Sequence, residues 1–255
     1  MSKYENLKAK FENREVAIGT MMGTTMNTIL LERMNKNPNL DFIVFDAEHG
    51  AFNQENLVPA LQICRLIDLP ACVRVQDAHY HLIAKLLYMG ADGIMIPRTE
   101  SIEQIETAVA AMHFAPEGRM GMGGHGEFRP GESFDQFQRG RFLLPQIESP
   151  RGIELLPEMI DKYKEYISAI IIGPYDMSCM VGTPGDVCSP EMISSIQKVF
   201  DICHEKGVSC GIFCDDQNFA EKYHKMGANV LWVGAETGFF SLGFNQVINS
   251  VSKLK

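Results

Sequence analysis

The stretch DFIVFDAEHG, residues 41–50, begins as a strand and ends in ionisable groups. Phe42, Ile43, Val44 and Phe45 form an unbroken apolar run, the pattern of a strand covered on both faces, as in parallel sheets. Asp46, Glu48 and His49 then crowd three titratable side chains into the four positions before Gly50. An ordinary strand end needs one polar residue and a turn, so three ionisable groups here mark a candidate working edge.

The same construction recurs along the chain. Candidate strands are EVAIGTMM (15–22), DFIVFDAE (41–48), ACVRVQ (71–76), GIMIPR (93–98), RFLLPQIE (141–148), AIIIGPYD (169–176), CGIFCD (210–215) and VLWVGAE (230–236). Between and after them lie segments with helical spacing of apolar residues: Met26–Met34, Leu57–Leu66, His79–Met89, Ile102–Met112, Ile153–Tyr163, Pro190–Lys206, Phe219–Met226 and Phe239–Leu254. Gly90, Gly207 and Gly227 stand where left-handed helix ends are expected, and Ser101 and Ser189-Pro190 where helices start. Eight apolar strands alternating with eight helices predict an α/β fold, a closed (β/α)₈ TIM barrel formed as a single domain over residues 1–255. An open doubly wound sheet is the runner-up, but GTMMGTT after the first strand is a poor Gly-rich phosphate turn.

Composition fits that reading. The 255 residues are 45% hydrophobic and 22% charged, ordinary for a globular protein with a large core. A net charge of −9 argues against nucleic-acid or anionic-membrane partners, which need a basic face. MSKYENLKAKFENREV lacks the apolar centre of a signal peptide, and no run approaches the roughly 18 apolar residues of a membrane span. Seven scattered cysteines in mostly apolar surroundings predict buried thiols and a cytoplasmic, reducing setting. Cys210 and Cys214 share a strand face, where a core role outweighs a metal pair.

A barrel of this kind works at the ends of its strands. Polar and ionisable residues gather at the ends of the second to sixth: Asp46, Glu48 and His49, then Arg74, Arg98, Gln146 with Glu148, and Asp176. Glu148 and Asp176 on neighbouring strands can hold a hard divalent cation, or simply cap helices. His49 can be a general base held by a carboxylate, or a histidine satisfied by a backbone carbonyl at a turn. Arg74 inside an apolar strand needs an anion, which Asp46, Glu48 or a substrate can supply. Met21 and Met22 line either a pocket or the core, and His79, His81, His113 and His224 read as surface residues. The long connection 113–140, with glycines at 118, 121, 123, 124, 126, 131 and 140, follows a helix. It should therefore start at the end opposite the site.

Taken together, FIVFDAEHG, CVRV, GADGIMIPR, LPQIESPRGIELLPEM, IIIGPYDMS, GIF and GANVLWVGAET resemble the HpcH/HpaI aldolase family, in order from about residue 15 to the C-terminus. The resemblance implies a metal-dependent aldolase that reversibly cleaves a 4-hydroxy-2-oxo acid to pyruvate and an aldehyde through a metal-stabilised enolate. It implies Mg²⁺, Mn²⁺ or Co²⁺ held at Glu148 and Asp176, and no organic cofactor. Arg74 would contact the keto oxygen, and His49, oriented by Asp46, would act on the aldol hydroxyl. Gln146, Pro174 and Tyr175 would hold the pyruvyl group, with Met21 at the pocket and Glu48 either behind the metal or paired with Arg74. The resemblance further implies a hexamer, a trimer of dimers, with the C-terminal helix exchanged between subunits. Three positions depart from the family's pattern: Met21 where relatives carry tryptophan, Tyr175 in place of a small residue, and Arg119 shifted in the long connection. Alternatives are an oxaloacetate decarboxylase or citrate-lyase-type enzyme, and a metabolite-binding barrel without catalysis. No strand ends in lysine, which argues against Schiff-base chemistry.

Overall fold

A computed structural model describes residues 2–25, 27–122, 128, 129, 131–252 and 254. After α1 (Lys3–Asn13), the chain alternates between strands and helices. It runs β1 (Ala17–Met22), α2 (Thr28–Asn35), β2 (Phe42–Asp46), α3 (Gln54–Leu66), β3 (Ala71–Arg74), α4 (Tyr80–Tyr88), β4 (Gly93–Ile96) and α5 (Ile102–Met112). The second half runs α6 (Phe134–Gly140), β5 (Phe142–Ile147), α7 (Pro150–Tyr163), β6 (Ala169–Ile172), α8 (Pro174–Met180), α9 (Pro190–Lys206), β7 (Ser209–Cys214), α10 (Gln217–Met226), β8 (Val230–Ala235) and α11 (Glu236–Ser252). Each strand pairs in parallel with the next, and β8 closes on β1, so the sheet is the predicted closed barrel and not an open one.

The strand period of two sorts the side chains into two cores. Ile43, Phe45, Val73, Ile94 and Ile170 face the helix layer. Phe42, Val44, Cys72, Met95, Phe142, Leu144, Ile171, Val230 and Trp232 fill the barrel. At the strand-start end, α1 inserts Leu7 and Phe11 into that interior core. Phe11 meets Phe42 and Phe142 edge-on, with ring centroids 6.3 and 5.7 Å apart. The expected elements did not include α1, although Ser2 and Glu5 form a capping box and Tyr4, Leu7 and Phe11 recur at helical spacing.

Several boundaries differ from the expected ones. The predicted sixth strand stops at Ile172, because Pro174 has no N–H for the ladder and instead starts α8. Asp176 is therefore in the first turn of a short helix rather than on a strand. The helix predicted from Met26 begins at Thr28, with Asn27 as its cap, and Met26 itself lies outside the described residues. His113 is buried rather than on the surface: its Nδ1 lies 3.0 Å from the Val109 carbonyl, and burial holds its pKa below the ordinary value.

The 113–140 connection starts at the strand-start end, as expected, and Arg119 then packs against Tyr80 at the start of α4. Arg129 reaches Asp92 at 2.6 Å, and Arg141 pairs with Glu132 at 2.9 Å. Phe114, Phe128, Phe134 and Phe137 pack ring against ring beside them. Glycines 123, 124 and 126 lie outside the described residues. Among the described residues, no helix is long and apolar enough to cross a membrane.

Candidate active site

The interior series of side chains does not stop where the core ends. On β2 the sequence Phe42, Val44 continues to Asp46; on β3, Cys72 leads to Arg74; on β5, Phe142 and Leu144 lead to Gln146 and then Glu148. The register places Asp46 directly beside Arg74. A strand pattern that packs apolar residues inward thus delivers these polar groups to the mouth.

Arg74 is the fixed point. Its Nε donates to Asp46 Oδ1 at 2.9 Å and an Nη to Oδ2 at 2.8 Å, a two-pronged pair, while the other Nη lies 3.4 Å from Glu48. Burial pushes the Asp46 carboxyl up, but hydrogen bonds and charge from Arg74 outweigh it and hold the pKa below the ordinary value. Asp46 also accepts the backbone N–H groups of Glu48 and His49, at 3.1 and 3.2 Å, which bends the chain sharply after β2. A Cβ on Gly50 would collide with the Asp46 carbonyl, so this turn requires glycine.

These contacts correct one expectation. The Asp46 carboxylate is taken up by Arg74 and two backbone amides, and does not bond the imidazole of His49. The nearest carboxylate to that ring is Glu48, whose Oε1 lies 3.9 Å from Nε2. Glu48 pairs with Arg74 and also with Arg98, at 3.3 Å. Burial nevertheless leaves its pKa above the ordinary value.

Glu148 is 2% exposed, and both its oxygens are held. Gln146 Nε2 donates to Oε1 at 2.6 Å and the backbone N–H of Arg98 to Oε2 at 2.9 Å. Arg98 adopts a left-handed backbone (φ 44°), strained for a residue with a Cβ, which turns that N–H toward Glu148. Burial raises the Glu148 pKa to about 7, and the charges of Asp176 and Glu48 add to the rise.

Gly173 completes the cradle. A Cβ there would fall on the Glu148 carboxylate and the Gln146 amide. Gly173→Ala is expected to displace Glu148 and lower kcat/KM about 100-fold, since a shift near 1 Å costs about that much. The protein should remain folded, its melting temperature reporting at most about 3 kcal/mol of overpacking. Near-native turnover would show that the Glu148 position does not matter.

Met21, His49, Arg74, Gln146, Glu148, Gly173, Pro174, Tyr175 and Asp176 surround one cavity of about 160 Å³ together with Phe213 and Trp232. Asp46 and Glu48 stand behind this lining. Sequence reading missed Phe213, Trp232, the Arg98 amide and the cradle at Gly173. The two aromatics were legible: both continue the inward parity of β7 and β8, but those strand ends carry few charges to mark them.

The donor set suits a divalent cation. Four carboxylates (Asp46, Glu48, Glu148 and Asp176) meet two guanidinium groups (Arg74 and Arg98), so negative charge is in excess. Gln146 Oε1 is buried with no hydrogen-bond partner. Among the described residues, no group of three or more His, Cys, Asp or Glu side chains converges as a metal cage. Glu148 and Asp176 would therefore supply only part of a cation's shell, leaving positions for substrate oxygens and water, as Mg²⁺ prefers.

A parallel eight-stranded barrel with an acid-rich pocket at its strand ends is the architecture of a TIM-barrel enzyme. The sequence profile of the HpcH/HpaI aldolase/citrate lyase family matches residues 25–241, and the chain belongs to that family, a family of carbon–carbon lyases. It is 27% identical over 217 residues to a 5-keto-4-deoxy-D-glucarate aldolase of Klebsiella pneumoniae, covering 84% of each chain. The identity to the protein of that name from Escherichia coli O6:H1 is 27% over 250 residues, 96% of each. An HpcH/HpaI aldolase structure from Desulfitobacterium hafniense superposes with a TM-score of 0.86 at 23% identity, covering 98% of this chain and 97% of that one.

Proposed function

We propose that this protein is a divalent-metal-dependent aldolase that reversibly cleaves a 4-hydroxy-2-oxo acid into pyruvate and an aldehyde. The observation that carries the reading is the placement of buried Arg74, buried Glu148 and exposed Asp176 around one small cavity that His49 also lines. Retro-aldol cleavage removes the proton of the C4 hydroxyl, breaks C3–C4 and leaves the electron pair as an enolate of pyruvate. A bound divalent cation supplies positive charge where that enolate develops. Arg74, immobilised by Asp46, presents a second preorganised charge to the same oxygen without having to reorient. His49 in its neutral form accepts the hydroxyl proton, a proton delivered to C3 from solvent water converts the enolate into pyruvate, and condensation runs both transfers in reverse. Gln146 and the turn at Pro174-Tyr175 hold the pyruvyl group.

The test is condensation of pyruvate with small aldehydes, and the reverse cleavage, with Mg²⁺, Mn²⁺ or Co²⁺ supplied in turn. Activity should require the cation and vanish in chelator. If no cation supports turnover and Glu148→Ala is indistinguishable from the parent, the proposal is wrong. His49→Asn should lower kcat for cleavage by about 10²–10⁴ with a smaller change in KM, as expected for a group acting on a moving proton.

The same reading extends to the assembly, a single-domain barrel that forms a homohexamer by exchanging its last helix. Its support is α11, which leaves Phe240, Leu242, Phe244, Val247, Ile248 and Val251 exposed within one chain, a larger apolar face than monomers usually present. Light scattering that returned a monomer would remove it.

A further inference from the structure

We infer that the aromatic wall ending in Tyr175, with Asp215 behind it, makes this site select short uncharged aldehydes over aldehydes that carry a carboxylate. The inference rests on the aldolase reading and specifies the half of the substrate that this reading leaves undefined.

The cavity has two unlike sides. His49, Arg74, Gln146, Glu148 and Asp176 form the polar side, which in the aldolase reading the 2-oxo acid and the cation occupy. The other side is Met21, Trp232, Phe213 and Tyr175. Trp232 and Phe213 meet edge-on with centroids 5.1 Å apart, and the Tyr175 ring follows at 6.4 Å from Phe213. The substituent on the aldehyde carbon has to lie along this second side, because the first is taken.

That side offers an anion no cation, and its one N–H without a partner, Trp232 Nε1, is buried. Tyr175 donates its hydroxyl proton to Asp215 Oδ2 at 2.5 Å, so the phenol is committed away from the substrate. The charges beyond the wall are negative: Asp215 and Asp216 are both exposed at the end of β7, and the Asp216 side chain already caps α10. Glu236 is bound by the backbone amides of Gly23, Thr24 and Thr25. Among the described residues lining the cavity, Arg74 is the sole guanidinium or ammonium group. It sits on the polar side, locked to Asp46.

A carboxylate on the aldehyde would therefore lose water against three aromatic faces without gaining a cation, while Asp215 repels it. An uncharged chain of the same length avoids both penalties and gains apolar contact. Size sets a second limit, since about 160 Å³ lies well below the roughly 300–1,000 Å³ of sites for larger ligands.

The experiment compares butanal with succinic semialdehyde, equal in chain length, as partners for pyruvate with Mg²⁺ present. Exchange of the pyruvate methyl protons into D₂O is followed in parallel. The expected result is a kcat/KM at least about tenfold higher for butanal. Asp215→Asn should raise the relative use of the semialdehyde by roughly three- to tenfold at low salt and by little at high salt, as screening of exposed charges requires. Tyr175→Ala should admit hexanal, which the parent uses poorly. Methyl exchange accompanied by equal or preferred use of the semialdehyde, or by a ratio insensitive to Asp215→Asn, overturns the selectivity and leaves the aldolase reading intact. Absence of exchange with every divalent cation overturns that reading, and the inference with it.

Discussion

Glu148→Gln is expected to lower kcat/KM by about 10³ or more and, at pH 8 without metal, to make the protein more stable than its parent. Both effects come from one charge. Burial lifts the Glu148 carboxyl from an ordinary 4.5 to about 7. The folded protein thus binds more protons than the unfolded chain between those two values. The Glu148 contribution to stability in chelator must therefore fall as pH rises from about 4.5 to about 7 and stay low above it, by roughly 3 kcal/mol in all. Glutamine removes that cost. Its single oxygen can accept from the Arg98 amide, and its NH₂ can donate to Gln146 Oε1, the buried oxygen that now has no partner, once the Gln146 amide flips. In a protein of this size that gain should appear as a melting temperature several degrees above the parent at pH 8 and close to it at pH 5. Divalent cation should restore the parent at pH 8 and do nothing for the variant, because a cation stabilises only the form that binds it. A melting-temperature difference between variant and parent that stays flat from pH 5 to 8 in chelator would rule out the strained, charged Glu148 on which the metal site depends.

How much of this was legible in the sequence follows the physics of each feature. The barrel was, because eight doubly covered strands must be nearly continuous apolar runs, and the open doubly wound sheet that shares this pattern lacks its Gly-rich turn after the first strand here. Asp46, Arg74, Gln146 and Glu148 were legible for the same reason: a charged or strongly polar group inside an apolar run has to be explained. What escaped depended on direction rather than on residue type. The carboxylate of Asp46 turns to Arg74 rather than to the His49 ring, a choice made by the register between β2 and β3 that spacing within one strand does not encode. Asp176 was placed correctly at the mouth but on the wrong element, since Gly173-Pro174 can end a strand and begin a helix in one step. Phe213 and Trp232 were passed over because apolar residues at a mouth look like core until the cavity is seen.

Replacement of Arg74 should have the largest combined effect on turnover and folding, and the two losses should be separable. Arg74→Met leaves Asp46, 3% exposed, without its cation and Glu48 with Arg98 alone, and breaking a buried pair costs about 3–5 kcal/mol. Arg74→Lys keeps a charge but cannot reproduce the two-pronged contact with Asp46 while a further N–H points elsewhere, so its stability loss should be smaller. Its kcat/KM should still fall about 10²–10³, because the lost interaction is with charge that exists only as the carbon–carbon bond breaks. The double replacement Asp46→Asn, Arg74→Met decides between roles. With the buried anion gone, much of the lost stability should return, and the cycle of single and double variants measures how much of it belonged to the pair. Turnover should not return, since the second charge opposite the enolate is still missing. A double variant that regained stability and activity together would make Arg74 a structural counter-ion for Asp46 and nothing more. A lysine variant within about threefold of the parent would show that the positive charge suffices and that the rigid fork of the guanidinium is not what the chemistry uses.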